Sequence, residues 1–364
     1  MLRIDRHTVI YVLCPSRIVT GGIEAVHQLV DKLRRFGHRA FIVPVPAVNN
    51  PVLLQYRHYD ASFIHKVVDH SDNVLIATEV NPTGLDAYQH IQKALWWLSV
   101  DFHETLSRQF DFSARRSRPV AHFVQSAYAY SFLKQKGVAD IFYLTDYLNE
   151  IYLRRDRAER KHQRVLYTPV KGATAYIQRL IEADPSIQWM ALAGLLRREH
   201  ARAMRQGKVY VDFGSHPGKD RQPREAVVNG CCVLVGLAGA ACNAEDIPIP
   251  EGYKFDLGQL DVEAILSTIR SCLQDHGRRY QDFEAYAEIV RQDEQRFERE
   301  VRQIFGQQAI KNTLRPWIVV VNILAFARQN NVYIVLRGLV NEWVPLSVLR
   351  WIKARYRLWR GPRS

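Results

Sequence analysis

The stretch Lys208–Gly236 leaves few architectures open. Val209, Tyr210, Val211 and Phe213 are β-formers that stop at Gly214, and Cys231–Val235 is a second apolar run bounded by Gly230 and Gly236. Between them Pro223 stands where the first turn of a helix tolerates proline, and Gly230 where a helix ends. Strand, loop, helix and strand in so short a span make a βαβ unit. The loop carries Gly218, Lys219, Asp220 and Arg221 ahead of the helix, and a helix N-terminus itself favours anions. Fixed cations at such a junction suit a phosphate. Solvated charges on an ordinary βαβ turn are the competing reading.

The same alternation runs through most of the chain. Thr8–Cys14 is a continuous apolar, β-branched run of the kind found in buried parallel strands. Ile23, Val26, Val30 and Leu33 then recur at helical spacing up to Gly37, and Arg39–Val45 is a second strand. With Gly21 and Gly22 at the helix start, this is half of a nucleotide-binding fold. It lacks the three-glycine fingerprint and an acid ending the second strand, so a loop that only turns the chain is the alternative. Further strands are expected at Val74–Thr78, Ala94–Val100, Pro119–Gln125 and Asp140–Thr145. Asp101 and His103 fall just past a strand's C-terminal end, where ligands bind in parallel sheets, and Asp101 fits a helix cap equally well.

Asn149–Arg164 is densely charged and reads as a boundary, or as the solvated face of a connecting helix. The alternation then restarts with a strand at Val165–Thr168, a helix at Lys171–Ala183, a strand at Ile187–Ala193 and a helix at Gly194–Met204. Beyond Gly236, helices are expected at Asp261–Cys272 and, long and charged, at Tyr280–Phe305. The expected fold class is α/β, with two Rossmann-like domains facing a cleft. They occupy residues 1–150 and 165–305, joined by a charged linker at 151–164 and followed by a basic, amphipathic helical tail at 306–364.

Charge separates the tail from the body. From Lys311 onward the chain has ten Lys or Arg and a single acid, Glu342, so +9 of the net +13 lies there. Leu349, Ile352, Tyr356 and Trp359 share one helical face, with Arg350, Lys353, Arg357 and Arg360 one position on. That pattern fits a helix lying on an anionic membrane surface; docking on the body and nucleic-acid binding are the alternatives, the last disfavoured because the body is only mildly basic. Cys14, Cys231, Cys232, Cys242 and Cys272 show no C-x-x-C spacing, which points to reduced thiols in a cytoplasmic protein. The longest apolar candidate, Trp317–Ala327, is too short to span a bilayer and contains Asn322. The expected location is the cytoplasm, with peripheral attachment to the inner face of a membrane.

Three segments resemble the retaining GT-B glycosyltransferases, the family 4-like group that includes many bacterial polysaccharide and lipid-linked sugar transferases. Thr20–Ala40 is similar to their first loop and helix, Tyr167–Gly172 (YTPVKG) to the basic turn opening their C-terminal domain, and Pro223–Val233 to their donor-binding helix and next strand. Gly252–Asp256 with Asp261–Ile265 is similar to the segment that follows, and the likeness covers Thr8–Phe305, not the tail. It implies a GT-B-like fold and transfer of a hexosyl or deoxyhexosyl group from a nucleotide sugar to a glycan or lipid-linked acceptor, with no cofactor. Glu225 would bind the donor ribose. Lys171, with Arg221 or Lys219, would neutralise the leaving diphosphate, and no metal would be needed. Gly21, Gly22, Gly172, Gly218 and Asp220 would line the donor site, with Asp101 and His103 on the acceptor side. One position departs from the group. Eight residues before Glu225, where a glutamate is usual, stands Pro217. Its best alternative is a GT-B-like protein that has lost its chemistry and binds a glycan or scaffolds an assembly.

Overall fold

The computed structural model describes residues 2–48, 51–104, 110, 112, 120–154, 159–169 and 174–308. The tail beyond residue 308, expected to form a basic amphipathic helix, lies outside them. The first sheet is built from β1 (Val9–Pro15), β2 (Arg39–Val45), β3 (Val74–Thr78), β4 (Gln92–Trp97), β5 (Val120–Val124) and β6 (Ile141–Tyr143). Every pairing is parallel, in the order β2-β1-β3-β4-β5-β6. Alternate residues feed opposite faces. Ile10 and Val12 pack under α1 (Gly21–Arg35), while Tyr11 and Leu13 pack on the other side. The consecutive Trp96 and Trp97 of β4 likewise divide between the two faces. Each buried indole N–H has an acceptor, the Leu144 carbonyl at 2.9 Å and His122 Nδ1 at 3.0 Å. The strand expected up to Val100 stops at Trp97, and Val100–Phe102 forms a short helical turn, α2.

Within the first domain α3 (Ala127–Gln135) joins β5 to β6, and α4 (Glu150–Leu153) leads away from it. The second sheet comprises β7 (His162–Tyr167), β8 (Gln188–Ala191), β9 (Gly207–Asp212), β10 (Cys232–Gly236) and β11 (Lys254–Phe255), ordered β11-β10-β9-β7-β8 and again parallel throughout. Its helices are α5 (Thr174–Ala183), α6 (Arg197–Gln206), α7 (Arg221–Val228) and α8 (Val262–Gln274). Pro223 sits in the first turn of α7, and Gly230, with φ of 81°, follows its end. In both sheets the strand order reverses once, between β1 and β3 and between β7 and β9. The crevice at such a reversal is where open α/β sheets bind ligands. Helix α1 leaves the first reversal and α7 the second.

The segment expected as one helix over 280–305 is broken. It forms α9 (His276–Tyr280), a 3₁₀ turn at Gln281–Phe283, α10 (Glu284–Arg291) and α11 (Asp293–Phe305). α11 crosses to the first sheet, where Phe297, Val301 and Phe305 join the face that carries Ile10, Val12 and Trp96. Lys32 of α1 holds Glu294 and Glu298 of α11 at 2.6 and 2.7 Å. A charged outer stripe had hidden an apolar inner one. Among the described residues, no helix is long and apolar enough to cross a membrane.

Candidate functional site

The N-termini of α1 and α7 face each other across the cleft. A Cβ on Gly21 would lie 2.9 Å from Cδ and Nε of Arg221, so a larger residue there would shift this arginine from the start of α1. Arg221 donates to Glu24 in the first turns of α1, and to Asp146, just past β6, at 3.0 and 3.2 Å. Arg224, one turn further along α7 and fully buried, reaches Asp146 at 2.7 Å and Asp293 of α11 at 3.2 Å. Lys219 donates to Asp293 at 2.6 Å and to the Thr145 hydroxyl at 2.8 Å. Arg197, at the start of α6, grips both oxygens of Glu24 at 3.1 Å each. Three carboxylates and four cations thus interlock at the meeting of the two sheets.

Burial pushes the carboxyls of Glu24 and Asp146 up, and their arginines more than offset it. For Glu24, Arg221 and Arg197 with Asn149 and Tyr59 hold the carboxyl below its ordinary value. For Asp146 the cations are Arg224, Arg221 and Lys219. Glu225, one turn beyond Arg221, has no such fork. Burial raises its carboxyl to about 7 against the pull of Arg221 and Arg224. His200 of α6 stands 3.8 Å from it and meets the Tyr152 hydroxyl at 3.2 Å. Burial lowers the His200 ring's pKa, which favours the neutral imidazole.

The loop between β9 and α7 is pressed against the first domain. The Val100 amide donates to the Pro217 carbonyl at 2.9 Å, and a Cβ on Gly218 would fall 2.1 Å from the Leu98 carbonyl oxygen. Glu79, whose carboxyl burial raises to about 7, accepts from the Leu98 amide at 2.9 Å and fixes that approach. Asp246, in the loop after β10, accepts from the Ala127 and Tyr128 amides at the start of α3, both at 2.8 Å. His216 is buried with φ of 47°, its Nδ1 3.0 Å from Asp220 and its Nε2 3.2 Å from the Asp212 carbonyl. Asp212, His216 and Asp220 each bring a potential metal-ligand atom within 4.8 Å of the others. Both ring nitrogens are already engaged by these hydrogen bonds, so the trio is satisfied within itself.

Of the residues singled out from sequence, Gly21, Gly22, Gly218, Lys219, Asp220, Arg221 and Glu225 come together at this junction. Gly22 lies by Leu98, whose Cδ1 would be 3.3 Å from an added Cβ. Lys171 and Gly172 lie outside the described residues. Asp101 accepts from the Tyr128 hydroxyl at 2.9 Å. His103 is buried among aromatic rings, with centroids 5.0 Å from Trp97, 6.1 Å from Phe112 and 6.3 Å from Phe132, and burial lowers its pKa. It sits in the packing behind β4, not beside Arg221 and Glu225. Sequence reasoning did not reach Arg197, Asp146, Asp293 or His200, and Arg224 falls within Pro223–Val233 without a role of its own. Glu24 was within the quoted Thr20–Ala40 segment without a role.

Two parallel-sheet α/β domains arranged in this way define the GT-B fold of glycosyltransferases, and solved structures with that fold align to the chain. Anabaena HepE in complex with UDP aligns with a TM-score of 0.54 at 12% identity, covering 82% of this chain and 98% of that one. Sucrose-phosphate synthase from Thermosynechococcus elongatus aligns with a TM-score of 0.50 at 12% identity, covering 79% and 98%. The alignment with S. aureus TarM (TM-score 0.48, 12% identity) covers 66% of this chain, which spans 57% of TarM. No family model matches the chain, and no curated protein matches it by sequence.

Proposed function

We propose that this chain transfers a hexosyl or deoxyhexosyl group from a nucleotide-diphosphate sugar to a glycan or lipid-linked acceptor, with retention, in polysaccharide or glycan biosynthesis. One observation carries the reading: two helix N-termini, each at the switch point of its own sheet, converge on Arg221. Support comes from HepE, which shares the fold and was solved with UDP and with UDP-glucose. In this reading Lys171 and Arg221 meet the charge that develops on the departing diphosphate, as preorganised cations do where charge builds up in a transition state. Glu225 takes the ribose hydroxyls, and Gly21, Gly22, Gly172 and Gly218 let backbone approach the donor. The acceptor oxygen bonds to the anomeric carbon on the face from which the diphosphate leaves, and its proton passes to a leaving phosphate oxygen. Neither a cofactor nor a metal enters this scheme.

The acceptor lies on the first domain in this reading, near Asp101 and, behind it, His103. Ile18, Val19, Val45, Val80 and Phe102 are exposed large apolar residues at the carboxyl edge of the first sheet, which favours an acceptor with an apolar portion. The basic tail is assigned to an anionic membrane surface. Flotation with anionic liposomes is expected for the full chain and lost without residues 311–364, and equal flotation of both would remove that assignment.

Lys171→Ala is the central test: transfer, found by screening nucleotide sugars, is expected to fall at least ~10²-fold in kcat with the fold intact. Donor turnover equal to the parent's would overturn the site. A second reading, a GT-B-like protein without transfer activity that binds a glycan or scaffolds an assembly, is favoured by Pro217, whose carbonyl is tied to Val100, and by the carboxylates already on Lys219 and Arg221. Calorimetry with a panel of nucleoside diphosphates decides between them. Failure of all to bind selects the second reading.

A further inference from the structure

The Glu24 carboxylate is surrounded by more donors than it can use well. Its Oε1 accepts from the Tyr59 hydroxyl and Asn149 Nδ2 at 3.0 Å and from Arg197 Nη1 at 3.1 Å. Its Oε2 accepts from Arg197 Nη2 at 3.1 Å and from Arg221 Nη1. Five donors converge where a carboxylate offers about four lone-pair sites on two oxygens. A phosphoryl group offers three oxygens and more charge, and an arginine fork matches either anion. The donors come from four separate places: the start of α6, the start of α7, the segment after the 3₁₀ turn Leu54–Tyr56, and the residue capping α4. Glu24 itself sits near the positive end of α1, which adds to the field on any anion held there. The cradle also has an open side. Arg197 is 28% exposed in its side chain, against 3% for Glu24.

We propose that Arg197, Arg221, Asn149 and Tyr59 form a binding site for a phosphoryl group, and that Glu24 occupies it as a built-in stand-in until an anion displaces it. This rests on the nucleotide-sugar reading for the identity of the ligand, a diphosphate, but not for the existence of the anion site. It adds Arg197 and Asn149 to the residues that touch the donor and makes Glu24 a competitor for it. The bland alternative is that Glu24 is a clamp between the domains and nothing else. The two differ in sign. A competitor's removal strengthens anion binding, whereas a clamp's removal only loosens the fold.

The test is calorimetric titration of the full chain with inorganic pyrophosphate and, separately, with UDP. Glu24→Gln keeps the side chain's shape and removes its charge, and it is expected to bind pyrophosphate at least ~10-fold more tightly than the parent. Arg197→Ala in the Glu24→Gln background is expected to cancel that gain. Arg197→Ala alone, at the open rim, is expected to weaken pyrophosphate at least ~10-fold. It also serves if Glu24→Gln does not fold. Unchanged or weaker binding by folded Glu24→Gln, or unchanged binding by Arg197→Ala, overturns the proposal. Pyrophosphate bound in this pattern with no binding of UDP or any other nucleoside diphosphate leaves the anion site standing and removes the nucleotide-sugar reading. UDP bound equally by all variants does the reverse.

Discussion

The carboxyl edges of the two sheets have the same topology and opposite chemistry. The edge of the first brings carboxylates to the cleft, Glu24 after β1 and Asp146 after β6, and α11 adds Asp293 beside them. The edge of the second brings cations: Arg197 after β8, and Lys219, Arg221 and Arg224 after β9. Exposed apolar residues also differ, with Ile18, Val19, Val45, Val80 and Phe102 on the first edge against Leu196 and Leu237 on the second. Strand order alone would make the two domains interchangeable as ligand platforms. Side-chain chemistry tells them apart: the second edge gathers cations, and the first supplies carboxylates that meet them and presents an apolar rim.

The strongest way to break this comparison is to remove a cation that both sides share. Arg224 is fully buried between Asp146 and Asp293. Taking away one partner of a buried pair leaves carboxylates without a counter-charge, at about 3–5 kcal/mol. Arg224→Ala is therefore expected to lower the denaturation midpoint by that equivalent, while Arg197→Ala, at the half-buried rim, is expected to cost less because Glu24 keeps Arg221, Asn149 and Tyr59. Similar losses from both would mean that the interlock is not graded from buried to open, and that the rim is structural too.

Much of the fold was legible because its signals are local. Apolar runs and helical periods mark β1, α1, β9, α7 and β10 directly, and Gly37 and Gly230 mark helix ends by their positive φ of 89° and 81°. The break at Gln292 and the crossing of α11 were not legible. Its charged residues continue a helical pattern, and the sheet it covers is decided by distant partners of Phe297, Val301 and Phe305. The site divides in the same manner. Lys219 and Arg221 are visible as cations at a strand-to-helix junction, but their carboxylates are far along the chain, with Asp146 75 residues and Glu24 197 residues from Arg221. No local pattern reveals such pairs. His103 shows the converse: a polar residue after a strand reads as a ligand contact, and only the folded chain shows the rings of Trp97, Phe112 and Phe132 around it.

Glu225 sharpens the comparison from the other direction, as an acid on the cationic edge that no arginine grips. Its carboxyl is raised from 4.5 to about 7 by burial, so the folded state prefers it protonated. Its contribution to stability is therefore fully present below pH 4.5 and is lost as pH rises through about 7. The full loss is on the order of 3 kcal/mol at ~1.36 kcal/mol per pH unit. Glu24 has the opposite sign: its carboxyl is held low, so its contribution is present above 4.5 and is lost in acid. Glu225→Gln is expected to lessen the decline between about pH 4.5 and 7, the remainder belonging to Glu79, whose carboxyl burial also raises to about 7, and to leave the acid limb in place, as followed by denaturant titration at each pH. An unchanged slope in Glu225→Gln would mean that Glu225 is ionised in the folded protein, gripped by the arginines after all. The two edges would then differ in the number of their charges and not in how those charges are held.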